Sequence, residues 1–307
     1  MAIRQIKREG KEEWLNLRRQ YIGGSDAAAV CGLNEFQSPY ALWCEKRGIS
    51  PPFDGNERTR IGEYMEDYVA MRFEEETGKK VRKCNFSFIN DQYPWAIADV
   101  DRIVIGEDAI IECKTTSEMN MKHYRDGAYP ARFYVQCQHY MAVLGKEMAY
   151  LCVLIGNREF KIYPIQRNEK EIEALMDAEK QFSEWMKSGE EPPANPVDVN
   201  SIELAHPIGN GTSIELFGSQ NIMRRYLEIK SEIAAMEKEA DGIAATLKQD
   251  MGDAEKGTDG EFICTWANRT RTTFDKKAFQ EANPGIDLSK YEKTTAYRAF
   301  SIKKLEV

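Results

Sequence analysis

Ile97-Ala98-Asp99-Val100-Asp101-Arg102-Ile103-Val104, followed past a turn at Gly106-Glu107-Asp108 by Ile110-Ile111-Glu112-Cys113-Lys114, reads as two short strands of a hairpin. Strand side chains alternate with a period of two, so Glu112 and Lys114 share a face. Asp101 is expected beside them on the neighbouring strand. Two carboxylates then converge on one point with an ammonium next to them.

The surrounding pattern supplies a scaffold. Residues 11–48 read as short helices, with Ser25 as a helix cap ahead of Asp26-Ala27-Ala28-Ala29 and a second helix from Ser38-Pro39 to Gly48. Pro51–Asn56 reads as a loop. Ile61, Tyr64, Met65, Tyr68 and Phe73 recur at helical spacing over 57–77, and Gly78 stops that helix. The stretch 80–89 reads as a strand before the hairpin. A helix is expected at about 130–144, strands at 148–156 and 160–165, and a helix at 168–188. Helix, three strands, helix, two strands predicts a mixed central sheet flanked by helices in one α/β domain, ending near the Pro-rich stretch 188–196.

Paired carboxylates beside a lysine suit phosphodiester hydrolysis. A phosphate diester repels hydroxide unless a cation neutralises it and acidifies the attacking water. Oxygen ligands select Mg²⁺, with Mn²⁺ able to substitute, over zinc. Lys114 can orient that water or stabilise charge in the transition state; acting as general base would require a depressed pKa. The Glu-x-Lys pattern is not distinctive by itself, since Glu9-Gly-Lys11, Glu159-Phe-Lys161, Glu228-Ile-Lys230 and Asp275-Lys-Lys277 resemble it. Only Glu112-Cys113-Lys114 follows an apolar strand whose partner carries an aspartate. A surface hairpin with a salt bridge would use the same residues.

Glu63, Glu66 and Asp67 lie on one side of the preceding helix, where a nearby cation would relieve their repulsion; a solvated helix face has the same pattern. Gln136 and Gln138 stand in an otherwise apolar helix, either holding the lysine, a water or a phosphate, or forming a core polar network.

Composition narrows the setting. A net charge of −8 argues against a protein that coats DNA with its whole surface, while leaving room for a local basic groove. The 7 cysteines are scattered without Cys-x-x-Cys and accompany 3 histidines, so structural zinc, a disulfide framework and an iron–sulfur cluster gain no support, and small buried residues are expected. No run approaches the ~18 apolar residues of a membrane span, and Met1–Gly10 lacks the apolar centre of a signal peptide. A cytoplasmic protein is expected.

Ordered motifs over residues 12–190 resemble the YqaJ and phage lambda exonuclease family, within the restriction-endonuclease-like PD-(D/E)XK superfamily. They are Trp14-x3-Arg18, Tyr21-Ile22-Gly23-Gly24-Ser25-Asp26, Ser38-Pro39-Tyr40-x-Leu42-Trp43, Gly62-x3-Glu66, Asp101 with Glu112-x-Lys114, and Gln136-x-Gln138. The resemblance implies a nuclease domain over 1–192. Asp101 and Glu112 would bind metal with the Cys113 carbonyl, Glu66 would assist at or near a second metal site, and Lys114 would be catalytic. Gln138 would support the lysine and water. Arg18 and Ser25 would grip DNA phosphate near a strand end, with Gln136 as a further DNA-side contact. Many relatives read Pro-Asp-Gly where this chain has Val100-Asp101-Arg102, which leaves Asp99 as the rival ligand to Asp101.

The implied activity is Mg²⁺-dependent 5′→3′ digestion of one strand of linear double-stranded DNA. The 3′ overhang would pass to a single-strand annealing protein of the RecT/Red-beta type, in a phage- or prophage-encoded system inside a bacterial host cell. A homo-oligomer, in ring form, would encircle DNA. A structure- or site-selective endonuclease and a non-catalytic DNA-binding or assembly module are the competing readings.

Residues 200–307 fall outside the resemblance. Ile222, Tyr226, Ile229, Ile233, Met236, Ala240, Ile243 and Leu247 form a coiled-coil-like seam on a long helix at about 216–250. A small α+β piece follows, with strands expected near 261–270 and 294–303. The seam suits self-assembly, partner docking or packing within its own domain.

Overall fold

A computed structural model describes residues 2–7, 10–51 and 55–304; within the expected loop at Pro51–Asn56, residues 52–54 lie outside the described residues. The chain forms two compact units, Met1–His206 and Pro207–Val307.

The first unit begins with β1 (Ile3–Lys7), α1 (Lys11–Gln20), β2 (Ile22–Gly23), α2 (Gly24–Val30), α3 (Pro39–Lys46) and α4 (Glu57–Thr77). Then come β3 (Val81–Lys83), β4 (Phe86–Asn90), β5 (Ala96–Ile97), β6 (Arg102–Val104), β7 (Ala109–Thr116), α5 (Ala131–Leu144), β8 (Met148–Ile155), β9 (Glu159–Gln166), α6 (Glu169–Ser188) and α7 (Val199–Ala205). The central sheet runs β3-β6-β7-β8-β9. Only β7 and β8 are parallel, and α5 makes the crossover that a parallel pair requires. The result is the mixed sheet flanked by helices that the element order predicts.

Alternation along β7 divides the core. Ala109, Ile111 and Cys113 face α4, where Val69, Ala70 and Phe73 pack on them. Ile110 faces the other way, into a cluster with Cys137, Tyr140 and Met141 of α5. Burying these side chains contributes about 1.5–3 kcal/mol for each large residue. His139 of α5, fully buried, binds Glu179 of α6 at 2.7 Å and the Ile97 carbonyl at 2.9 Å, joining both helices to the sheet edge. Asn56 caps α4 by accepting from the Thr59 amide, and Gly78, at φ 70°, ends it.

Three details depart from the sequence reading. The strand expected over 80–89 is two strands on different partners: β3 joins the central sheet, whereas β4 pairs with β1, which was not foreseen. The first hairpin strand likewise breaks into β5 and β6, leaving Asp99, Val100 and Asp101 in an irregular link. Ser25 is not a cap. Helix α2 begins at Gly24, and Asp26 caps it by accepting from the Gly23 amide at 2.9 Å.

Beyond the Pro-rich stretch the chain still packs on this unit. Ser38 hydrogen-bonds Asp198, and the Cys44 thiol approaches the Ser201 carbonyl. Of the cysteines, Cys44, Cys84, Cys113, Cys137 and Cys152 are buried, and all 7 are free thiols.

The second unit holds α8 (Gln220–Met251), a hairpin of β10 (Lys256–Thr258) and β11 (Ile263–Thr265), and α9 (Lys276–Ala282). The seam residues on α8 are all exposed rather than covered. The strand expected at 294–303 does not form, because its alternating residues find no pairing partner among the described residues. No described helix is long and apolar enough to cross a membrane.

Candidate active site

The hairpin pairing of β6 and β7 covers only Arg102 with Ile111 and Ile103 with Ile110. Past Arg102 the two segments splay. Asp101 therefore lies just beyond the strand rather than on it, and its carboxylate takes over the ladder by accepting from the Cys113 amide at 2.7 Å. The opening leaves a cavity of about 220 Å³ lined by Asp101, Glu112, Cys113, Lys114 and Thr115, with Thr59, Gly62, Glu63 and Glu66 of α4 along its other wall.

Within it, Glu112 Oε1 accepts from Lys114 at 2.5 Å and from Gln136 at 2.7 Å. Glu112 Oε2 is buried with no hydrogen-bond partner. Such an orphaned oxygen is costly to bury unless something else meets it. Burial, then the Asp101 charge, pushes the Glu112 carboxyl up to about 8, against the pull of Lys114. For Lys114, burial opposes the charged form, but Glu112 and Asp101 outweigh it and raise its pKa. Lys114 therefore keeps its proton, which disfavours the general-base role. Its ammonium also lies 5.1 Å from the Phe133 ring centre, a cation–π contact that fixes it.

A hard divalent cation fits this donor set. Among the described residues no three His, Cys, Asp or Glu side chains are grouped closely enough to hold an ion by themselves. Asp101 and Glu112 nonetheless line one cavity, and a cation between their carboxylates would satisfy the bare oxygen. Burial, followed by Asp101, raises the Glu66 pKa, with Arg102 and Lys83 pulling the other way.

Asp99 has other work. It accepts from the Trp14 indole at 3.0 Å and from Ser87, tying α1 to the sheet edge. Asp101 is thus the carboxylate that faces the cavity.

The two glutamines separate. Residues two apart on a helix point about 200° apart. Gln136 faces Glu112 and also donates to the Tyr140 hydroxyl at 3.1 Å. Gln138 points away, donating to the Gln166 carbonyl and accepting from the Asn168 amide, where it joins β9 to α6. Gln136, rather than the Gln138 that the resemblance implies, is therefore the glutamine that reaches the carboxylate–lysine pair, and Gln138 links β9 to α6.

Arg18 and Ser25 meet at 2.6 Å beside Asp26, to which Arg18 also donates at 3.0 Å. Lys46, 4% exposed, binds Asp26 at 2.6 Å and the carbonyls of Arg18 and Tyr21. Burial works against the Asp26 charge, but Lys46 and Arg18 outweigh it and hold the carboxyl down at about 2. Gly24 lies against Tyr140 so closely that a Cβ would fall 2.4 Å from the ring. That approach connects the Arg18 cluster, through Tyr140 and Gln136, to Glu112.

Sequence reasoning missed Lys46 and Arg102. Arg102 is 4% exposed, donates to the Asp101 carbonyl at 2.7 Å, meets Asp67, and lies 3.8 Å from Glu66. Part of the repulsion on α4 is thus relieved by a guanidinium. Both stand near apolar residues in the chain, Arg102 before Ile103-Val104 and Lys46 after Leu42-Trp43-Cys44, but a charged side chain there reads as the solvent-facing position of its strand or helix.

Fold and site together define a mixed α/β protein with a carboxylate–lysine centre at a splayed strand pair. The chain matches the YqaJ-like viral recombinase domain over residues 13–147. It is 35% identical over 305 residues to "Uncharacterized protein YqaJ" of Bacillus subtilis (strain 168), covering 96% of this chain and 95% of that one. The chain belongs to the YqaJ family. Its fold is similar to the crystal structure of an alkaline exonuclease, LHK-Exo, from Laribacter hongkongensis, at a TM-score of 0.50 and 18% identity over 58% of this chain and 94% of that one. The same enzyme in complex with dAMP matches at a TM-score of 0.50 and 19% identity, with the same coverage.

Proposed function

We propose that this chain is a divalent-metal-dependent deoxyribonuclease that digests one strand of linear double-stranded DNA from its 5′ end. The observation that carries this reading is the buried Oε2 of Glu112, without a hydrogen-bond partner, on a residue that lines one cavity with Asp101, Glu66 and Lys114. The fold likeness to an alkaline exonuclease crystallised with dAMP supports a nucleic-acid end as substrate.

Asp101 and Glu112 would hold the cation, which when bound would neutralise charge at the scissile phosphate and lower the pKa of a water; Mg²⁺ suits these oxygen donors, with Mn²⁺ as substitute. The Cys113 amide fixes Asp101, and Gln136 fixes Glu112. Lys114, kept protonated, donates to oxygens that gain charge in the transition state. Arg18 and Ser25 receive a strand-end phosphate; the guanidinium fork matches phosphate oxygens and Ser25 is exposed beside it.

The nuclease domain comprises residues 1–192. The 3′ overhang it leaves serves a single-strand annealing protein in phage recombination, and self-association into a ring would keep the enzyme on its duplex. Linear duplexes labelled at either end, with and without a 5′-phosphate, test this with Mg²⁺. The 5′ label is released first, sealed circles survive, and EDTA or Lys114→Ala stops digestion. Release of the 3′ label first overturns the polarity, and digestion that persists in EDTA overturns the metal dependence.

A further inference from the structure

The guanidinium of Arg102 is buried against α4, behind the cavity-lining residues Glu66 and Asp101, and nothing in the proposed chemistry uses it. One arm donates to the Asp101 carbonyl at 2.7 Å and lies 3.8 Å from Glu66 Oε2, while the other meets Asp67. Asp67 is 76% exposed, so water could solvate it without help. A buried guanidinium is costly to desolvate and persists where hydrogen bonds and carboxylates compensate it. Here it clamps the peptide carrying Asp101 and sets a permanent positive charge beside Glu66. A second divalent ion at Glu66 would meet that charge at contact range, in surroundings that screen it poorly. On the Glu112 side, Lys114 engages only Oε1, and Oε2 has no hydrogen-bond partner.

We propose that Arg102 is a built-in cation at the Glu66 side of the cavity, so that the site takes a single divalent ion, at Asp101 and Glu112. Arg102 is then a positioning residue, acting through the Asp101 backbone and through Glu66. This rests on reading the cavity as a divalent-cation site.

Titration of Mn²⁺ into the full chain, followed by calorimetry and by the electron paramagnetic resonance of free Mn²⁺, counts the ions without DNA. The wild-type protein takes up one ion. Arg102→Met, which keeps bulk and drops charge, takes up two, and adding Glu66→Gln removes the second. Arg102→Lys retains one. Should Arg102→Met fail to fold, Glu66→Gln alone decides: the affinity for the single ion stays within about threefold, whereas loss of a ligand-supporting group costs about 10–100-fold. Two ions of similar affinity in the wild type, one ion in folded Arg102→Met, or a loss of about 10-fold or more in Glu66→Gln each overturns the inference. No Mn²⁺ uptake at all overturns the metal reading beneath it.

Discussion

Asp26 and Glu112 are both buried carboxylates in the first unit, and their surroundings differ in one respect. Asp26 meets Lys46, Arg18 and the Gly23 amide, with both oxygens engaged. Glu112 meets Lys114 and Gln136 through a single oxygen, and its other oxygen meets nothing. The first arrangement is complete and holds its carboxyl at about 2; the second is short of positive charge and holds its carboxyl at about 8. A compensated cluster stabilises structure, while an under-compensated one is poised for a cation.

Removing the charge at the incomplete cluster breaks that contrast most severely. Glu112→Gln and Lys114→Ala are each expected to lower single-turnover nuclease activity by about 10³-fold while circular dichroism stays native. Native activity in either variant would leave the cluster without a catalytic role.

At the complete cluster the loss is one of stability. Asp26→Asn strands Lys46 without its counter-charge and should cost about 3 kcal/mol, read from urea unfolding. The pH sign follows from the depressed pKa. The Asp26 contribution is present above about 3.8 and is lost as pH falls through about 2.

The glutamines sharpen the comparison at smaller scale. Gln136→Ala is expected to lower activity or Mg²⁺ affinity by about 10–100-fold. Gln138→Ala should instead cost about 1 kcal/mol of stability with kcat unchanged. The reverse pattern would return Gln138 to the site.

The smallest effect is in pH. Because the Glu112 pKa is raised in the fold, its stabilising contribution is complete below about 4.5 and is lost as pH rises through about 8. In EDTA the thermal midpoint should therefore decline across that window, and Glu112→Gln should flatten the decline. Mg²⁺ should raise the midpoint more at pH 8 than at pH 6, since binding displaces a proton.

The sequence revealed what strict periodicity controls. Period two put Glu112 and Lys114 on one face, and helical spacing put Glu66 along the opposite wall. The residues alone left Gln136 and Gln138 open and the resemblance implied Gln138, because both are buried and only the rotation of α5 decides which faces Glu112. The split of 80–89 into β3 and β4 depends on β1, five residues whose partners lie about eighty positions away. Ser25 looked like a cap because hydroxyls often are; the Asp26 carboxylate, next in line, caps Gly23 instead. Arg102 was illegible because a buried guanidinium is recognised by what surrounds it in space.

The Asp101 carboxylate closes the ladder where β6 leaves β7, so the residue proposed as a cation ligand doubles as a piece of the sheet. Anyone wanting a silent version of the protein that traps DNA for crystallography should change Asp101 to Asn rather than Ala. The amide oxygen would still receive the Cys113 N–H, preserving the shape of the trap while its charge is gone. Alanine would open the frame that holds it.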